Sequence, residues 1–398
     1  MIYLDNNATT KIDEKVFESM IPFLKEHYSN PSSMYEFSRP AAKALKEARG
    51  QIKDFVNAAT ERDIIFTSCG SESANMAIRG VLSYNRSKRH IITTKVEHPC
   101  VMNTYKDFEN KGYEVDYIGV NSYGELDLEE LKSKIRKDTA LVSIMWANNE
   151  TGIIFPIREI SEIIKSKNPE TKLFVDAVQV AGKIPIDVQE NGIDLLSISG
   201  HKFHAPKGVG ALYINPKTSI TPLITGGHQE RGLRAGTENV PYIVGIGQAA
   251  AIATDTLKYE LTEVKRLRDK LETGILSKIY NSRLNTSISN RVPNTTNIGF
   301  EYIEGELILL HLSDLGICAS SGSACTSGSL EPSHVLRAMG IPFTSLHGSI
   351  RFSLSKYTTE KEIDYVLENL PSVINKLNNI SPFQNELEHL KACKKNYL

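Results

Sequence analysis

The feature that most constrains the fold is a repeating order of segments between about residues 12 and 257. Short apolar runs rich in β-branched residues alternate there with longer segments whose apolar residues recur at the helical period. The apolar runs cover residues 63–67, 90–94, 139–145, 172–176, 194–199 and 209–214, and the amphipathic segments include 128–135 and 157–164. This order predicts an α/β domain with a mostly parallel sheet between helices. Such sheets bind ligands beyond the carboxyl ends of their strands.

A second, smaller α+β domain is predicted from the change of pattern after Leu257. Apolar residues from Leu257 to Ile275 mark a long helix. The elements expected after it are strands at 296–300 and 349–354, helices at 305–312 and 334–339, a last helix from a Thr359 and Glu362 capping box to Leu377, and a polar tail after Ser381. We therefore expect a large domain over residues 12–257 and a small domain formed by residues 1–11 and 258–398.

Composition excludes several classes of function. The 398 residues include 46 Lys and Arg against 47 Asp and Glu, so no bulk charge attracts nucleic acid or an anionic membrane. The longest nearly apolar stretch, 243–253, is much shorter than the roughly 20 residues of a membrane-spanning helix. Residues 1–5 show neither the basic nor the apolar region of a secretory signal, and we expect a cytoplasmic protein.

The cysteines point to one reactive thiol rather than to disulfides or zinc. Their number, five, is odd, and no pair has C-x-x-C spacing. Cys325 lies in a run of small residues, 320–330, which predicts a loop able to move. No cation flanks it in sequence, so its activation would come from the fold or the substrate. Cys318 fits a packed turn better, and Cys69 and Cys100 are interpreted as buried spacers.

Lys202 and Asp176 each follow an apolar run. Lys202 lies in a tight turn after residues 194–199, where a lysine can bind an aldehyde cofactor such as pyridoxal phosphate if burial lowers its pKa. That cofactor needs an acid beside its ring nitrogen, and Asp176 can supply it. The alternatives are a surface lysine, as we interpret Lys207, and a helix N-cap aspartate. The pair favours a cofactor site more than either residue does alone.

A phosphate site is predicted where the run at 63–67 passes through Gly70 and Ser71 into a helix. The free N–H groups at a helix start bind phosphate. Ser199 and His201, from the lysine turn, are further candidate ligands. An ordinary serine N-cap is the alternative.

Two other motifs carry less weight. The segment 245–250 resembles a dinucleotide fingerprint but follows no clear strand, and we interpret its glycines as helix packing. His201 and His204 lie three residues apart without partnering cysteines, so we expect no metal site.

Together these motifs resemble the NifS-type cysteine desulfurases, fold-type-I pyridoxal-phosphate enzymes of the class-V aminotransferase family. The resemblance extends from residues 3–10 to 351–360, and its most specific segments are 145–152, 226–232 and 321–334. It implies a large domain with a mostly parallel seven-stranded sheet between helices, and a smaller α+β domain. The chain departs from the family pattern at Tyr35, where a histidine is usual, and at Ser71, where threonine is common.

The resemblance assigns a set of residues to the cofactor, pyridoxal 5'-phosphate: Gly70, Ser71, His98, Asn149, Asp176, Gln179, Ser199, His201, Lys202 and Thr237. Lys202 binds the cofactor covalently, Asp176 pairs with the ring nitrogen and Gln179 bonds the ring hydroxyl. His98 stacks on the ring and moves protons. Thr237 reaches in from a second subunit, so a homodimer is expected.

The resemblance also implies a reaction. Arg351, assisted by Asn149, is expected to bind the α-carboxylate of L-cysteine bidentately. Cys325 attacks the substrate sulfur, alanine leaves, and a persulfide remains, so the expected catalytic residues are Cys325, Lys202 and His98. The expected acceptor is an iron–sulfur scaffold protein of the NifU or IscU type, for iron–sulfur assembly that includes nitrogenase clusters. Transfer RNA thiolation would begin with the same persulfide.

Two other functions are weighed against this reaction. An aminotransferase of the same fold needs the cofactor residues but has no use for Cys325. A non-catalytic sulfur carrier or assembly scaffold would use Cys325 and leave Lys202 and Asp176 without a purpose. Both alternatives explain less of the chain than a cysteine desulfurase does.

Overall fold

The structure is a computed structural model that describes residues 1–321 and 332–395. Cys325 and residues 322–330 of the loop predicted around it lie outside the described residues, and the first two residues of that predicted loop, 320 and 321, form a short strand. The strands are β1 (Ile2–Tyr3), β2 (Ile64–Thr67), β3 (His90–Thr94), β4 (Glu114–Ile118), β5 (Thr139–Met145), β6 (Lys172–Asp176), β7 (Leu195–Ser199), β8 (Gly210–Ile214), β9 (Ser282–Leu284), β10 (Thr295–Phe300), β11 (Ile317–Cys318), β12 (Ser320–Ser321) and β13 (Ser349–Ser353). The helices are α1 (Glu14–Lys25), α2 (Arg39–Phe55), α3 (Gly70–Tyr84), α4 (Pro99–Asn110), α5 (Leu128–Lys134), α6 (Ile157–Lys167), α7 (Val240–Tyr259), α8 (Lys265–Lys278), α9 (Gly305–Asp314), α10 (His334–Ala338), α11 (Phe343–Leu346), α12 (Glu360–Ile380) and α13 (Gln384–Lys395).

Seven of the described strands form the central sheet, in the order β2, β8, β7, β6, β5, β3, β4. Neighbouring strands run parallel except at β8, which is antiparallel to both β2 and β7. The prediction of a mostly parallel sheet is therefore confirmed. The sequence analysis missed β4, an edge strand in which only Ile118 is buried. The alternation of Val115 and Tyr117 with acidic residues is the signal that could have found it.

Strand β2 shows that the sheet is buried on both faces. Ile64 and Phe66 belong to one hydrophobic cluster, which also contains Ile52 of α2. Ile65 belongs to a second cluster, together with Met76 of α3. Because successive side chains of a strand point to opposite faces, the two clusters lie on opposite sides of the sheet. The continuous apolar runs in the sequence follow from this double burial.

Helix α7 crosses the expected domain boundary without a break. It begins at Val240 and continues through a π-helical turn, Glu260–Val264, into α8. The prediction that a long helix starts near Leu257 is therefore wrong at its start, because the first half of this helix is packed too deeply to show an amphipathic pattern. Gly247 meets α2 closely, and a Cβ added to it would lie 2.7 Å from Ala48 Cα. The interpretation of this glycine segment as helix packing is confirmed.

The C-terminal part of the chain contains a separate antiparallel sheet of β12, β13, β10 and β9, and β1 pairs with β11. Leu4 packs into the same hydrophobic cluster as Ile298 and Phe352, so the chain start joins this region. Helix α12 begins with the predicted capping box. The polar tail expected after Ser381 is instead mostly helix α13, whose Leu387 is buried. None of the helices in the described chain combines the length and apolar character of a membrane span.

Candidate active site

The carboxyl ends of β6 and β7 border a cleft of about 250 Å³. Asp176 is the last residue of β6, and Ser199 is the last residue of β7. The cleft is lined by nearly all of the residues predicted to hold the cofactor: Gly70, Ser71, His98, Asn149, Asp176, Gln179, Ser199, His201 and Lys202. The starts of α3 and α4 complete its walls. Residues from five separate stretches of sequence therefore meet where a parallel sheet binds its ligands.

Lys202 projects into this cleft from a short 3₁₀ turn, Gly200–Lys202, directly after β7. Its Nζ donates to the carbonyl oxygen of Asn7 at 2.5 Å and to that of Ala8 at 2.9 Å. Both acceptors belong to the N-terminal segment, so the amine is held between two distant parts of the chain. Lys207, by contrast, is exposed.

The side chain of Asp176 is a carboxylate, and the residue is only 6% exposed. Burying its negative charge away from water is energetically unfavourable. Its Oδ1 accepts a hydrogen bond from the Val178 amide at 3.0 Å. Burial raises the pKa of Asp176, whereas the charges of His98 and Lys202 and the Val178 N–H lower it. A cationic ring nitrogen beside this carboxylate would lower the pKa of Asp176 further and favour its ionised form.

Gln179 follows Asp176 in the same turn and presents an unsatisfied atom. Its Nε2 donates to the Asn7 carbonyl at 3.2 Å. Its Oε1 is buried and has no hydrogen-bond partner in the described part of the chain. A ligand hydroxyl in the cleft would satisfy this oxygen.

The start of α3 approaches the cleft closely because its first residue is a glycine. A Cβ on Gly70 would lie 2.9 Å from Val178 Cγ2 and 3.3 Å from Ser199 Cβ. The first N–H groups of this helix have no intrahelical acceptor and favour an anion. His201 lines the same cleft, and burial together with the charge of Lys202 lowers the pKa of His201 to about 4. His201 is therefore neutral at pH 7 and offers a hydrogen bond rather than a charge.

His98 is the N-cap of α4, and its Nδ1 accepts from the Cys100 amide at 3.2 Å. The Cys100 Sγ lies 3.0 Å from the same nitrogen. Burial lowers the pKa of His98, the charge of Asp176 opposes this, and the charge of Lys202 adds to it. Neutral His98 carries its proton on Nε2, because Nδ1 is used as an acceptor.

Arg351, on β13, lies next to the cleft residue Asn149. Its Nη1 donates to the Asn149 carbonyl at 2.8 Å, and its Nη2 donates to Asp5 Oδ1 at 2.7 Å. Its Nε is buried and has no hydrogen-bond partner among the described residues. These contacts hold the guanidinium in one orientation and leave a donor for a carboxylate.

Not every predicted residue reaches the cleft. Thr237 is exposed and does not line it. Cys325 lies outside the described residues. Tyr35, which stands at the family's usual histidine position and to which no role is assigned, is 56% exposed and does not line the cleft.

The sequence analysis missed other parts of the site. The carbonyl of Asn7 and the carboxylate of Asp5 bind Lys202 and Arg351, and no periodicity or spacing predicts such backbone and long-range contacts. Cys69 and Cys100 are half-buried and line the cleft, so their interpretation as buried spacers needs correction. Their position next to Gly70 and His98 in sequence was the available signal.

The residues present fit pyridoxal phosphate. A half-buried amine, a buried carboxylate, an unsatisfied amide oxygen and a glycine-opened helix start face one space of suitable size. Lys202, Asp176 and Gln179 would hold the ring, and Gly70 and its neighbours would hold the phosphate. Pyridoxal phosphate bound there supplies an electron sink for rearranging the bonds of an amino acid.

Comparisons with known proteins agree with this geometry. The aminotransferase class-V family model matches residues 2–366. The chain belongs to this family. A cysteine desulfurase from Nostoc sp. strain PCC 7120 is 56% identical over 386 residues, 97% of this chain and 96% of the relative. The cysteine desulfurase NifS of Azotobacter vinelandii is 50% identical over 96% of this chain and 94% of its own. A solved NifS-like protein matches with a TM-score of 0.89 and 41% identity over 94% of this chain and 100% of its own.

The chain is thus a member of the NifS-type cysteine desulfurases, and pyridoxal phosphate is its cofactor. The predicted fold class, a fold-type-I α/β enzyme, is confirmed by the same comparisons and by the central sheet.

Proposed function

We propose that the enzyme moves the sulfur atom of L-cysteine onto Cys325 and releases L-alanine. The carbon–sulfur bond of the substrate breaks, and its electron pair stays on the carbon, which takes up a proton. A sulfur–sulfur bond to Cys325 forms, so atoms and electrons balance without an external oxidant. The observation that carries this proposal is the single cleft that contains Lys202 and Asp176 and lies beside Arg351.

Arg351 accounts for recognition of the substrate carboxylate. Asp5 and the Asn149 carbonyl orient its guanidinium, and Asn149 itself lines the cleft. Charge-assisted hydrogen bonds to a carboxylate contribute about 1.5–3 kcal/mol. We infer that Arg351 binds a small α-amino acid by the carboxylate of that amino acid. The side chain of the amino acid then points toward the cleft.

His98 accounts for proton movement. It lines the cleft, and burial lowers its pKa, which favours the neutral imidazole. A neutral imidazole there can take a proton from the substrate and return one to the carbon that loses sulfur.

Steady-state turnover tests the reaction. Purified enzyme with cysteine and a thiol reductant should release alanine and sulfide in equal amounts. Cys325→Ala should abolish both while the bound cofactor keeps its visible absorbance. Cys393→Ala, which removes an exposed thiol, is the matched control and should leave turnover unchanged. Undiminished sulfide release by Cys325→Ala would refute the role of Cys325.

We further propose that two copies of the chain share each phosphate site through Thr237. Arg234 pairs with Glu72 at 2.8 Å, which ties the segment before Thr237 to the first turn of α3. Thr237 is exposed within one chain. Leu223 and Ile224, 37% and 40% exposed, offer apolar surface in the same part of the sequence. If a second copy of the chain packs against this surface, Thr237 of the first copy would lie at the cleft of the second copy.

Mixing two inactive variants tests this arrangement. Thr237→Glu places a carboxylate at the phosphate, and Lys202→Ala removes the cofactor's anchor. If Thr237 serves the other subunit, a mixed dimer contains one intact site and regains activity. If Thr237 serves its own chain, the mixture stays inactive.

The sulfur acceptor and the setting of the enzyme also belong to this proposal. The relative from Azotobacter vinelandii is named NifS, and we propose that this enzyme supplies iron–sulfur assembly through a scaffold protein of the NifU or IscU type, in the cytoplasm. We also propose the division into a large domain, 12–257, and a small domain, 1–11 with 258–398. Transfer of labelled sulfur from persulfidated enzyme to a purified scaffold should exceed transfer to a thiolation enzyme; equal transfer would contradict the assignment.

A further inference from the structure

A second lysine lies behind the cofactor's anchor. Lys183 is 5% exposed, and its Nζ donates to the carbonyl oxygen of Lys202 at 3.4 Å. Lys183 belongs to the turn after β6, which follows Asp176 and also carries Gln179. The Lys183 ammonium group, from the turn after β6, therefore contacts the turn after β7 that carries Lys202.

The space around Lys183 is a small cavity of about 20 Å³, room for about one water molecule, and it is lined by both polar and apolar residues. Its wall includes Lys202, Lys183 and Glu260, which come from the two turns and from the π-helical turn between α7 and α8. Irregular π-turns are frequent at functional sites. The wall also includes Asn294 and Lys356, so the cavity lies where N-terminal, central and C-terminal segments meet.

Glu260 is the acidic residue of this cavity whose charge favours the ionised form of Lys183. Its carboxyl group is 6% exposed. Burial lowers the pKa of Lys183 to about 8, and the charge of Glu260 opposes that fall. Burial raises the pKa of Glu260 to about 7, and the charges of Lys183 and Lys356 oppose that rise. Each group thus stabilises the ionised form of the other near neutral pH.

We propose that Lys183 is a positioning residue for Lys202: its ammonium group, whose ionised form Glu260 favours, holds the Lys202 carbonyl and maintains a positive charge beside the turn that carries the cofactor-binding nitrogen. This inference rests on the proposed function of Lys202. A fixed positive charge disfavours protonation of a nearby nitrogen. The Lys202 amine is then more often in the neutral form that binds an aldehyde. When substrate arrives, the Lys202 nitrogen is also released more easily from the cofactor.

Other charged groups face the same two lysines. Around Lys202 they are Asp176, His98, His201 and Lys207, and around Lys183 they are Glu260, Lys356, Asp13 and His204. Asp13 is paired with Lys356 at 2.6 Å, and the pKa values of His201 and His204 are both lowered to about 4, so these groups contribute little change near pH 7. Lys207 is exposed, and solvent screens its charge.

The pH dependence of the cofactor's absorbance tests the proposal. The holoenzyme is titrated as wild type, Lys183→Met, Lys183→Gln and Lys207→Met. We expect the pKa read from the bound cofactor to rise by roughly one unit in both Lys183 variants, the size of effect that one buried charge produces at an effective dielectric constant of about 20. Lys207→Met removes the same charge from the surface and should leave the value unchanged.

The glutamine variant separates charge from structure. Lys183→Gln keeps a donor for the Lys202 carbonyl but carries no charge, so it also decides the matter if Lys183→Met does not fold. An unchanged titration with a lowered Tm would show a structural role only and overturn the proposal. Rebinding of the cofactor by apoenzyme at pH 7 should be roughly three- to tenfold slower in both variants, following the smaller neutral fraction of Lys202. If wild type itself shows no lysine-bound cofactor, the proposed function of Lys202 fails and this inference fails with it, whereas lysine-bound cofactor in wild type with an unchanged titration in both Lys183 variants overturns this inference alone.

Discussion

The amine of Lys202 lies 2.5 Å from the carbonyl oxygen of Asn7, and these two residues are 195 positions apart in the chain. The same carbonyl accepts a second hydrogen bond from Gln179. The N-terminal segment thus contacts residues of the candidate cofactor site, and it also packs with the C-terminal sheet through Leu4.

Replacing Lys202 should remove covalent attachment of the cofactor without unfolding the chain. Lys202→Ala loses two hydrogen bonds to backbone carbonyls at a half-buried position, so we expect a small drop in Tm. Turnover should fall by at least about a thousandfold, since the acting groups work as a unit. Visible absorbance after dialysis checks the attachment. Lys207→Ala should remain coloured, and loss of its colour would contradict the assignment.

Arg351 should control the KM for cysteine. Arg351→Lys keeps the positive charge but loses the planar fork that donates to Asn149 and Asp5. We expect KM to rise about tenfold or more, corresponding to the loss of one charge-assisted hydrogen bond. Initial rates over a range of cysteine concentrations measure the effect, with cofactor absorbance as the control. A change in kcat alone would argue against carboxylate binding.

Glu97 should make the enzyme less stable as pH rises. Its carboxyl group is fully buried, and its Oε1 accepts from the Met145 amide at 2.8 Å and from Thr94 at 3.0 Å. Burial, with a further contribution from the charge of Asp176, raises the pKa of Glu97 from 4.5 to about 8. The folded protein therefore retains a proton that the unfolded chain has lost, and stability falls between about pH 4.5 and pH 8.

Substitution of Glu97 with glutamine, which has nearly the same shape and no charge, tests whether the ionisation of Glu97 makes the protein less stable as pH rises. Glu97→Gln cannot ionise and still offers an acceptor to Met145, so its Tm should decline less than that of wild type between about pH 5 and pH 8. Thermal unfolding across this range provides the measurement. Parallel curves for the two proteins would show that Glu97 is ionised in the folded state.

The cleft thiol Cys100 should not replace Cys325 as sulfur acceptor. Burial raises the pKa of the Cys100 thiol, with the charge of Asp176 acting in the same direction, so little thiolate is present at pH 7. Cys100→Ser should keep desulfurase activity within about twofold of wild type. A loss as large as that of Cys325→Ala would identify Cys100 as part of the sulfur path.

Much of the central sheet could be predicted from the sequence because most of its strands are buried on both faces. The strands that end at Asp176 and Ser199 are mostly apolar and buried, and the candidate site residues lie at the ends of these strands or in the turns after them. Strand β4 was missed because its exposed face breaks that pattern, and α7 was misplaced because burial on all sides hides helical periodicity.

The residues of the candidate site that could be predicted from the sequence are those whose chemistry resides in a side chain. Lys202, Asp176 and the Gly70 turn could be proposed from their position after strands. The backbone carbonyl of Asn7 could not, because any residue type offers the same acceptor. The proximity of Lys183 and Glu260 could not be predicted from the sequence either, because these residues are distant in the chain. They line one cavity only because two turns and a π-helical turn meet there.

The central claim is that cysteine sulfur passes to one particular thiol. Enzyme loaded with cofactor is mixed with a single equivalent of isotopically labelled cysteine, quenched, digested without reductant and analysed by mass spectrometry, with alanine measured in the same sample. For wild type we expect one alanine for each labelled sulfur atom, with all of the labelled sulfur on the Cys325 peptide. For Lys202→Ala we expect no labelled sulfur on that peptide. Label on Cys69, Cys100 or free sulfide, with Cys325 unmodified, would contradict it.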